Sequence, residues 1–215
     1  PALEFVGGVD LSLAGSDLEA PAVLSVPLPP GFVEQGRLLL VRLEDVDGAT
    51  RMVLVGLGEI QGSRIVSAYQ LADAPDIELE GILFKGRYVF VQVPGGAGFV
   101  SGMVFDTGAS ALAGALISSN GLPIVSFSSA TGDFLSAVAV DDFILTAVDP
   151  VSRDNGTASG TIPADGTLRQ EDIYLVQEPP AVAAFSPADG QQNVSLTTAV
   201  RITFSEPIDP ARVTP

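Results

Sequence analysis

The sequence contains no cysteine, no histidine and no tryptophan. Without His or Cys there is no Ser-His-Asp or Cys-His nucleophile, no thiolate chemistry and no zinc site of the usual nitrogen and sulfur ligands. No disulfide can staple a small fold, so each folded piece must hold itself together by its own apolar core. The missing cysteines do not place the chain inside a cell; they make the redox compartment irrelevant to it. Positive charge is scarce, with 10 Lys+Arg against 26 Asp+Glu and a formal charge of −16. Such an anionic surface repels phosphate backbones and anionic lipid, which argues against nucleic-acid and membrane-surface partners. Charge of either sign is low as well, at 17% of residues, against ~25% in ordinary soluble domains. That implies either a surface partly covered by neighbouring domains or chains, or a well-packed β-protein. No apolar run approaches the ~18–20 residues a membrane-spanning helix needs. Pro1-Ala2-Leu3-Glu4 carries neither a basic region nor a long apolar stretch, so no signal peptide is expected, as in a mature or trimmed chain.

What is abundant is apolar residues, 47% of 215, together with 23 glycines and 16 prolines. Short half-buried strands joined by tight loops need that mixture. The strand signals run along the whole chain: Leu38–Leu43, Arg51–Val55, Arg64–Tyr69, Arg87–Val93, Phe99–Phe105, Ala113–Ser118, Ile124–Ser128, Phe134–Val140 and Phe143–Val148. Their spacing, with turns between, is that of an all-β sandwich or barrel, and no segment keeps a helical period long enough for a helix. Two joints stand out. Pro94-Gly95-Gly96-Ala97-Gly98 is glycine-rich, and Glu178-Pro179-Pro180 is a stiff linker signal. They divide the chain into an N-terminal β domain (1–97), a second β-sandwich (98–178) and a last block (179–215). A block that short would struggle to fold alone.

The last block has the most specific pattern. Ala184-Phe185-Ser186-Pro187-Ala188-Asp189-Gly190 is followed by Asn193-Val194-Ser195-Leu196-Thr197-Thr198 and by Val200-Arg201-Ile202-Thr203-Phe204-Ser205-Glu206-Pro207-Ile208-Asp209-Pro210. It resembles the opening half of a bacterial Ig-like domain, with Ser195 standing where such domains often carry Pro. The residues agree: a strand over Val182–Phe185, a Pro-Ala-Asp-Gly turn, and an alternating strand over Ala199–Ser205 that Pro207 and Pro210 bring to a stop. An Ig-type sandwich takes about 100 residues, so the remaining strands are expected from residues beyond this block or from another subunit. The second block is similar to carboxypeptidase-regulatory-like or transthyretin-like sandwiches in Val100–Asp106, Gly108, Leu112–Ile117, Ala130–Phe134 and Leu145–Pro150. That resemblance implies a hairpin over Val100–Ile117, a turn into a strand at Ala130–Phe134, a strand over Leu145–Pro150, and a non-catalytic spacer or binding unit. In the first block, Val26–Gly31 and Gly86–Val89 are similar to bacterial ZU5-like domains.

Few motifs could carry chemistry. Phe105-Asp106-Thr107-Gly108-Ala109-Ser110 fits the aspartic-protease pattern, which needs two carboxylates sharing a proton across a water. No second Asp-Thr/Ser-Gly is present, so only a homodimer pairing two copies of Asp106 would supply it; the same residues also fit a plain hairpin turn. Gly56-Leu57-Gly58-Glu59-Ile60-Gln61-Gly62 superficially matches a dinucleotide loop, but its third glycine is one position late and no helix follows, so it reads as a β-turn. Calcium suits a histidine-free acidic chain, since hard cations take oxygen. Its candidates are Glu44-Asp45-Val46-Asp47-Gly48, Asp141-Asp142 with Asp149, and Asp154-Asn155-Gly156; each also fits a polar turn. Asn155-Gly156-Thr157 and Asn193-Val194-Ser195 fit the N-glycosylation pattern and read as turns. Phe84, Tyr88, Phe90 and Phe99 read as core.

The expectation is therefore an all-β chain of tandem Ig-like and transthyretin-like sandwiches with no catalytic, cofactor or metal residue assigned. Its role is expected to be structural or adhesive, as a module or filament subunit at a bacterial cell surface or outside the cell. Partners would be other protein chains, through edge strands that accept another chain's strand. A carbohydrate- or calcium-binding accessory module is the alternative, and the Asp106 dimeric protease a distant third.

Overall fold

The computed structural model describes residues 3–13, 17–46, 48–71, 74–177, 182–195 and 197–204. It is all-β, with no helix among the described residues. The chain divides into two compact units, 1–176 and 177–215.

In the first unit one large sheet begins with β1 (Glu4–Leu11), β2 (Ser25–Pro27), β3 (Leu38–Val46), β4 (Ala49–Gln61) and β5 (Arg64–Ala68). A small hairpin, β6 (Gln70–Leu71) with β7 (Ala74–Glu78), precedes β8 (Gly86–Gln92) and β9 (Ala97–Phe105). Then come β10 (Leu116–Ser119), β11 (Ile124–Phe127), β12 (Asp133–Ala139), β13 (Asp141–Val148), β14 (Asn155–Ile162), β15 (Leu168–Gln170) and β16 (Ile173–Tyr174). The large sheet has the order β1-β8-β3-β4-β11-β10-β13-β14, with β5 on β4 and β2 on β5. The smaller sheet is β12-β9-β15, with β16 also on β9.

The side chains of β9 and β12 alternate between two cores. Ala97, Phe99, Leu135 and Ala137 pack with Leu39, Val41, Leu54 and Val91 of the first half of the large sheet. Val100, Val104, Phe134 and Val138 pack with Ile117, Phe143, Leu145 and Ile162 of its second half. The small sheet is thus covered on both faces, which is why β9 and β12 read as nearly continuous apolar runs rather than alternating ones. The two halves of the large sheet meet at a short parallel pairing, Met52 with Ile124 and Val53 with Val125. On the outer face of the first half, Leu38, Leu40, Val53, Ile65, Tyr88 and Phe90 form a third core.

The joint at Pro94–Gly98, read from the sequence as a boundary between blocks 1–97 and 98–178, is a turn inside this unit. Gly95 and Gly96 have φ of 88° and 90°, and the Gly96 N–H donates to the Val93 carbonyl at 3.0 Å. Only glycine adopts two such dihedrals in succession without strain. The turn carries the chain from β8 in one sheet to β9 in the other. Asp165 secures it, its Oδ1 accepting from the Ala97 N–H at 2.8 Å. The hairpin implied over Val100–Ile117 does not form: β9 and β10 lie in different sheets, linked through a bridge between Phe105 and Ala111. Thr131-Gly132 does turn into a strand, β12, with Gly132 at a φ of 84°.

In the second unit, β17 (Val182–Ser186) and β18 (Arg201–Phe204) pair antiparallel, close to the strands read from the sequence. The Pro-Ala-Asp-Gly segment is a turn: the Gln191 N–H donates to the Ala188 carbonyl at 3.1 Å and Gly190 has a φ of 74°. The Ser186–Pro187 peptide is cis. Ser205–Pro210, Leu196 and the Glu178-Pro179-Pro180 linker lie outside the described residues.

Candidate functional site

The aspartic-protease-like segment sits where β9 ends. The Asp106 Oδ1 accepts from the N–H groups of Gly108 and Ser110, both at 2.8 Å. The Asp106 N–H donates to the Ser110 carbonyl at 2.8 Å, and the Ala109 N–H donates to the Asp106 carbonyl at 3.0 Å. This is a side-chain-capped turn of the kind short polar residues make with their own backbone. Its left-handed residue is Ala109, with a φ of 61°, rather than the glycine. Thr107 to Ser110 are exposed, so the carboxylate stands on a loop and not in a cleft. Asp106→Ala removes the acceptor of two exposed N–H groups, which water then solvates, and should lower stability by about 1 kcal/mol in denaturant unfolding. Asp106→Asn keeps an acceptor oxygen and should be close to neutral. Acid-pH cleavage that pepstatin blocks and Asp106→Asn abolishes would instead make this carboxylate catalytic.

The glycine motif at 56–62 is mostly strand, not turn. Gly56 and Gly58 lie inside β4, and the chain reverses only at Gly62, whose φ is 64°. Packing explains the first two: a Cβ on Gly58 would lie 2.9 Å from the Leu38 Cβ, and one on Gly56 would lie 3.1 Å from the Ala68 carbonyl oxygen.

The structure brings Asp149 and Asp154 into one turn, the Asp149 N–H donating to the Asp154 carbonyl at 2.9 Å, and keeps Asp141 and Asp142 away from both. Asp141-Asp142 begin β13 and Asp149 follows its end, so roughly 25 Å separates them at ~3.3 Å per residue. Asp142 accepts from the Thr161 hydroxyl at 2.6 Å. Asp149 caps its own loop, taking the Val151 N–H at 2.8 Å and the Ser152 hydroxyl at 2.9 Å. Asn155, between Asp154 and Gly156, opens β14 and bridges to Val176. Glu44 is tied to Arg42, and Asp47 lies outside the described residues. Among the described residues no group of three or more Asp or Glu is placed to hold a metal ion. Asn193 is exposed in a turn with a φ of 59°. Tyr88, Phe90 and Phe99 are fully buried, and Phe84 lies beneath the Arg42 guanidinium, 5.0 Å from its ring centre.

The feature that sequence reasoning did not reach is a cleft of ≈ 1170 Å³ beside the β4–β11 seam. One wall comes from Arg42, Val53, Leu54 and Ser126–Ser129 of the large sheet and the segment after it. The other comes from Ser101–Met103 of β9, Asp133–Leu135 of β12 and Gln170–Asp172; Ile77, Leu79 and Glu80 border it as well. Arg42 anchors one side. Its guanidinium donates a hydrogen bond to Glu44 at 2.8 Å and forms an ion pair with Glu80 at 3.2 Å. Burial pulls the Arg42 pKa down, but the Glu44 hydrogen bond and the charges of Glu80 and Glu44 outweigh it and leave it raised. Burial pushes the Glu80 carboxyl up; Arg42 opposes this, and the balance stays above the usual carboxylate range. The cleft is lined by polar and apolar side chains together, and the Arg42 guanidinium in it is already paired with two carboxylates.

No curated protein matches the chain. Among solved structures it is similar to the crystal structure of BcpA, the major pilin subunit of Bacillus cereus, at 11% identity and a TM-score of 0.31. That alignment covers 73% of this chain and 59% of the pilin, so the chain spans less than two thirds of its length. A second is the TIE protein of Bacillus anthracis, at 10% identity and a TM-score of 0.27, covering 72% of this chain and 34% of that one. The family comparison concerns the second unit, where the sequence motif and the β17–β18 hairpin lie: residues 176–215 match the bacterial Ig-like domain.

Proposed function

We propose that this chain is a non-catalytic structural and adhesive module of a bacterial surface protein, its all-β first unit joined to an Ig-like segment. The observation that carries the reading is the Ig-like match over residues 176–215. It is supported by the first unit's chemistry: the protease-like carboxylate is committed to a turn, Asp149 caps its own loop, and Asp142 and Glu44 are held by Thr161 and Arg42. No helix among the described residues is long and apolar enough to cross a membrane. The large sheet ends at β1 and β14, and its side branch ends at β2; such edges are where a strand from another chain can add. Antibodies raised against the chain should label intact cells of the bacterium that makes it. Labelling that appears only after permeabilisation would overturn a surface role.

A further inference from the structure

We propose that the cleft beside the β4–β11 seam binds a neutral, hydroxyl-rich ligand, a short oligosaccharide. This goes beyond the structural reading above and does not rest on it, since a spacer needs no cleft.

The inference starts from two hydroxyls. Ser101 of β9 and Ser126 of β11 are 5% and 4% exposed, and both line the cleft, from different sheets. Neither Oγ has a hydrogen-bond partner. Folded proteins rarely leave a buried hydroxyl unpaired, and one that is unpaired points to something else that completes it. Ser128, just beyond β11, shows the contrast: its hydroxyl donates to the Leu112 carbonyl at 2.6 Å and accepts from the Ala115 N–H at 2.9 Å. That serine serves the fold. Ser101 and Ser126 do not.

The charges of the cleft decide what kind of molecule fits. Each carboxylate there already has a partner. Glu80 has Arg42 at 3.2 Å, and Asp133 accepts from the Thr131 hydroxyl at 2.6 Å. Glu171 has Arg169 at 2.7 Å, and Asp172 accepts from the Met103 N–H at 2.9 Å. Glu80 and Glu171 are paired with arginines, while Asp133 and Asp172 are held by neutral donors, so the cleft keeps a net negative charge that repels an anion. Each carboxylate still has spare acceptor sites, while a serine hydroxyl both donates and accepts. A ligand matching this wall must bring many O–H donors, as sugars do; a peptide backbone brings one donor per residue. Phe127, 36% exposed at the cleft, offers an apolar face for the C–H side of a sugar ring. The volume of ≈ 1170 Å³ exceeds the ~300–1,000 Å³ of ordinary small-molecule pockets, which leaves room for more than one sugar unit.

The test uses the full chain on an array of neutral and anionic oligosaccharides, with oligolysine as a basic peptide control. Calorimetric titration of the best neutral trisaccharide follows. The expected result is binding to a neutral oligosaccharide, at least tenfold weaker in the Ser101→Ala/Ser126→Ala double variant, which melts no lower than the parent. Phe127→Ala, at an exposed position, should also weaken binding while leaving the melting temperature in place. The proposal is overturned if no neutral oligosaccharide binds, if oligolysine binds in its stead, or if the double variant and Phe127→Ala both bind as the parent does. A double variant that melts lower assigns the two hydroxyls to the fold and overturns it as well.

Discussion

Replacing Phe99 with alanine should lower the stability of the whole first unit by about 3–5 kcal/mol, the usual cost of emptying a buried phenylalanine site. Phe99 is fully buried. Its ring lies among Leu39, Val41 and Val91 of the large sheet and Leu135 and Ala137 of the small one, with the Arg37 guanidinium 5.9 Å from its centre. No single sheet owns it. The loss should therefore register equally with probes before and after the Pro94–Gly98 turn, in one unfolding transition shifted down by about 10 °C for a unit of this size. Two transitions, with only the later residues destabilised, would mean that the glycine-rich joint separates independent domains after all.

Gly102→Ala should be nearly as damaging, although it adds only a methyl group. A Cβ at this position would lie 2.0 Å from the Glu171 carbonyl oxygen and 2.7 Å from its carbonyl carbon. Backbone cannot step aside as a flexible side chain can, so β9 and the 171–172 segment must separate. The separation would strain the neighbouring parallel pairings, Ser101 with Gln170 and Val104 with Ile173, and the bond from the Met103 N–H to Asp172. We expect a loss of about 3 kcal/mol in denaturant unfolding, at the upper end for overpacked sites. Because Gly102, Glu171 and Asp172 all line the cleft, the same variant should deform that wall. A variant as stable as the parent would mean that β9 and residues 171–172 are not packed this closely.

The strands were legible because their signals are local. β3, β8, β9, β12 and β13 each fall on an apolar run bounded by turn residues, and the hairpin of the second unit follows from its Pro-Ala-Asp-Gly turn. β14 escaped because Asn155–Ile162 has Gly, Ser, Thr and Ala at all but its two end positions, residues with little apolar signal that are held there by eight-residue pairing with β13. The meaning of the Pro94–Gly98 joint was not legible either. A glycine-rich stretch looks the same whether it links two domains or turns a chain from one sheet to the next. What distinguishes them is the packing of Phe99 and Leu135 against Leu39 and Val41, a long-range fact.

The sites divide in the same way. Asp106 could be weighed from sequence alone, because an Asp-x-Gly turn is a local structure, and only the placement of its left-handed residue on Ala109 differed. Asp141, Asp142 and Asp149 look close in sequence, but a strand is an extended object and carries them to opposite ends. The cleft left almost no trace. Ser101 and Ser126 are single hydroxyls inside apolar strands, and a serine in a strand ordinarily faces water. They become informative only because both faces of β9 are covered and because β4 and β11 pair over just two residues before the cleft opens.

The central claim is that residues 1–176 form one mechanical unit built from two interlocked sheets. Pulling the full chain from its termini in a single-molecule force experiment tests it most directly. At about 3.5 Å of extended chain per residue, unfolding the unit of 176 residues should release about 600 Å of contour length, less its folded span, in a single step. Two well-separated steps of about 300 Å each would show that the halves on either side of Pro94–Gly98 unfold on their own, and would contradict the account.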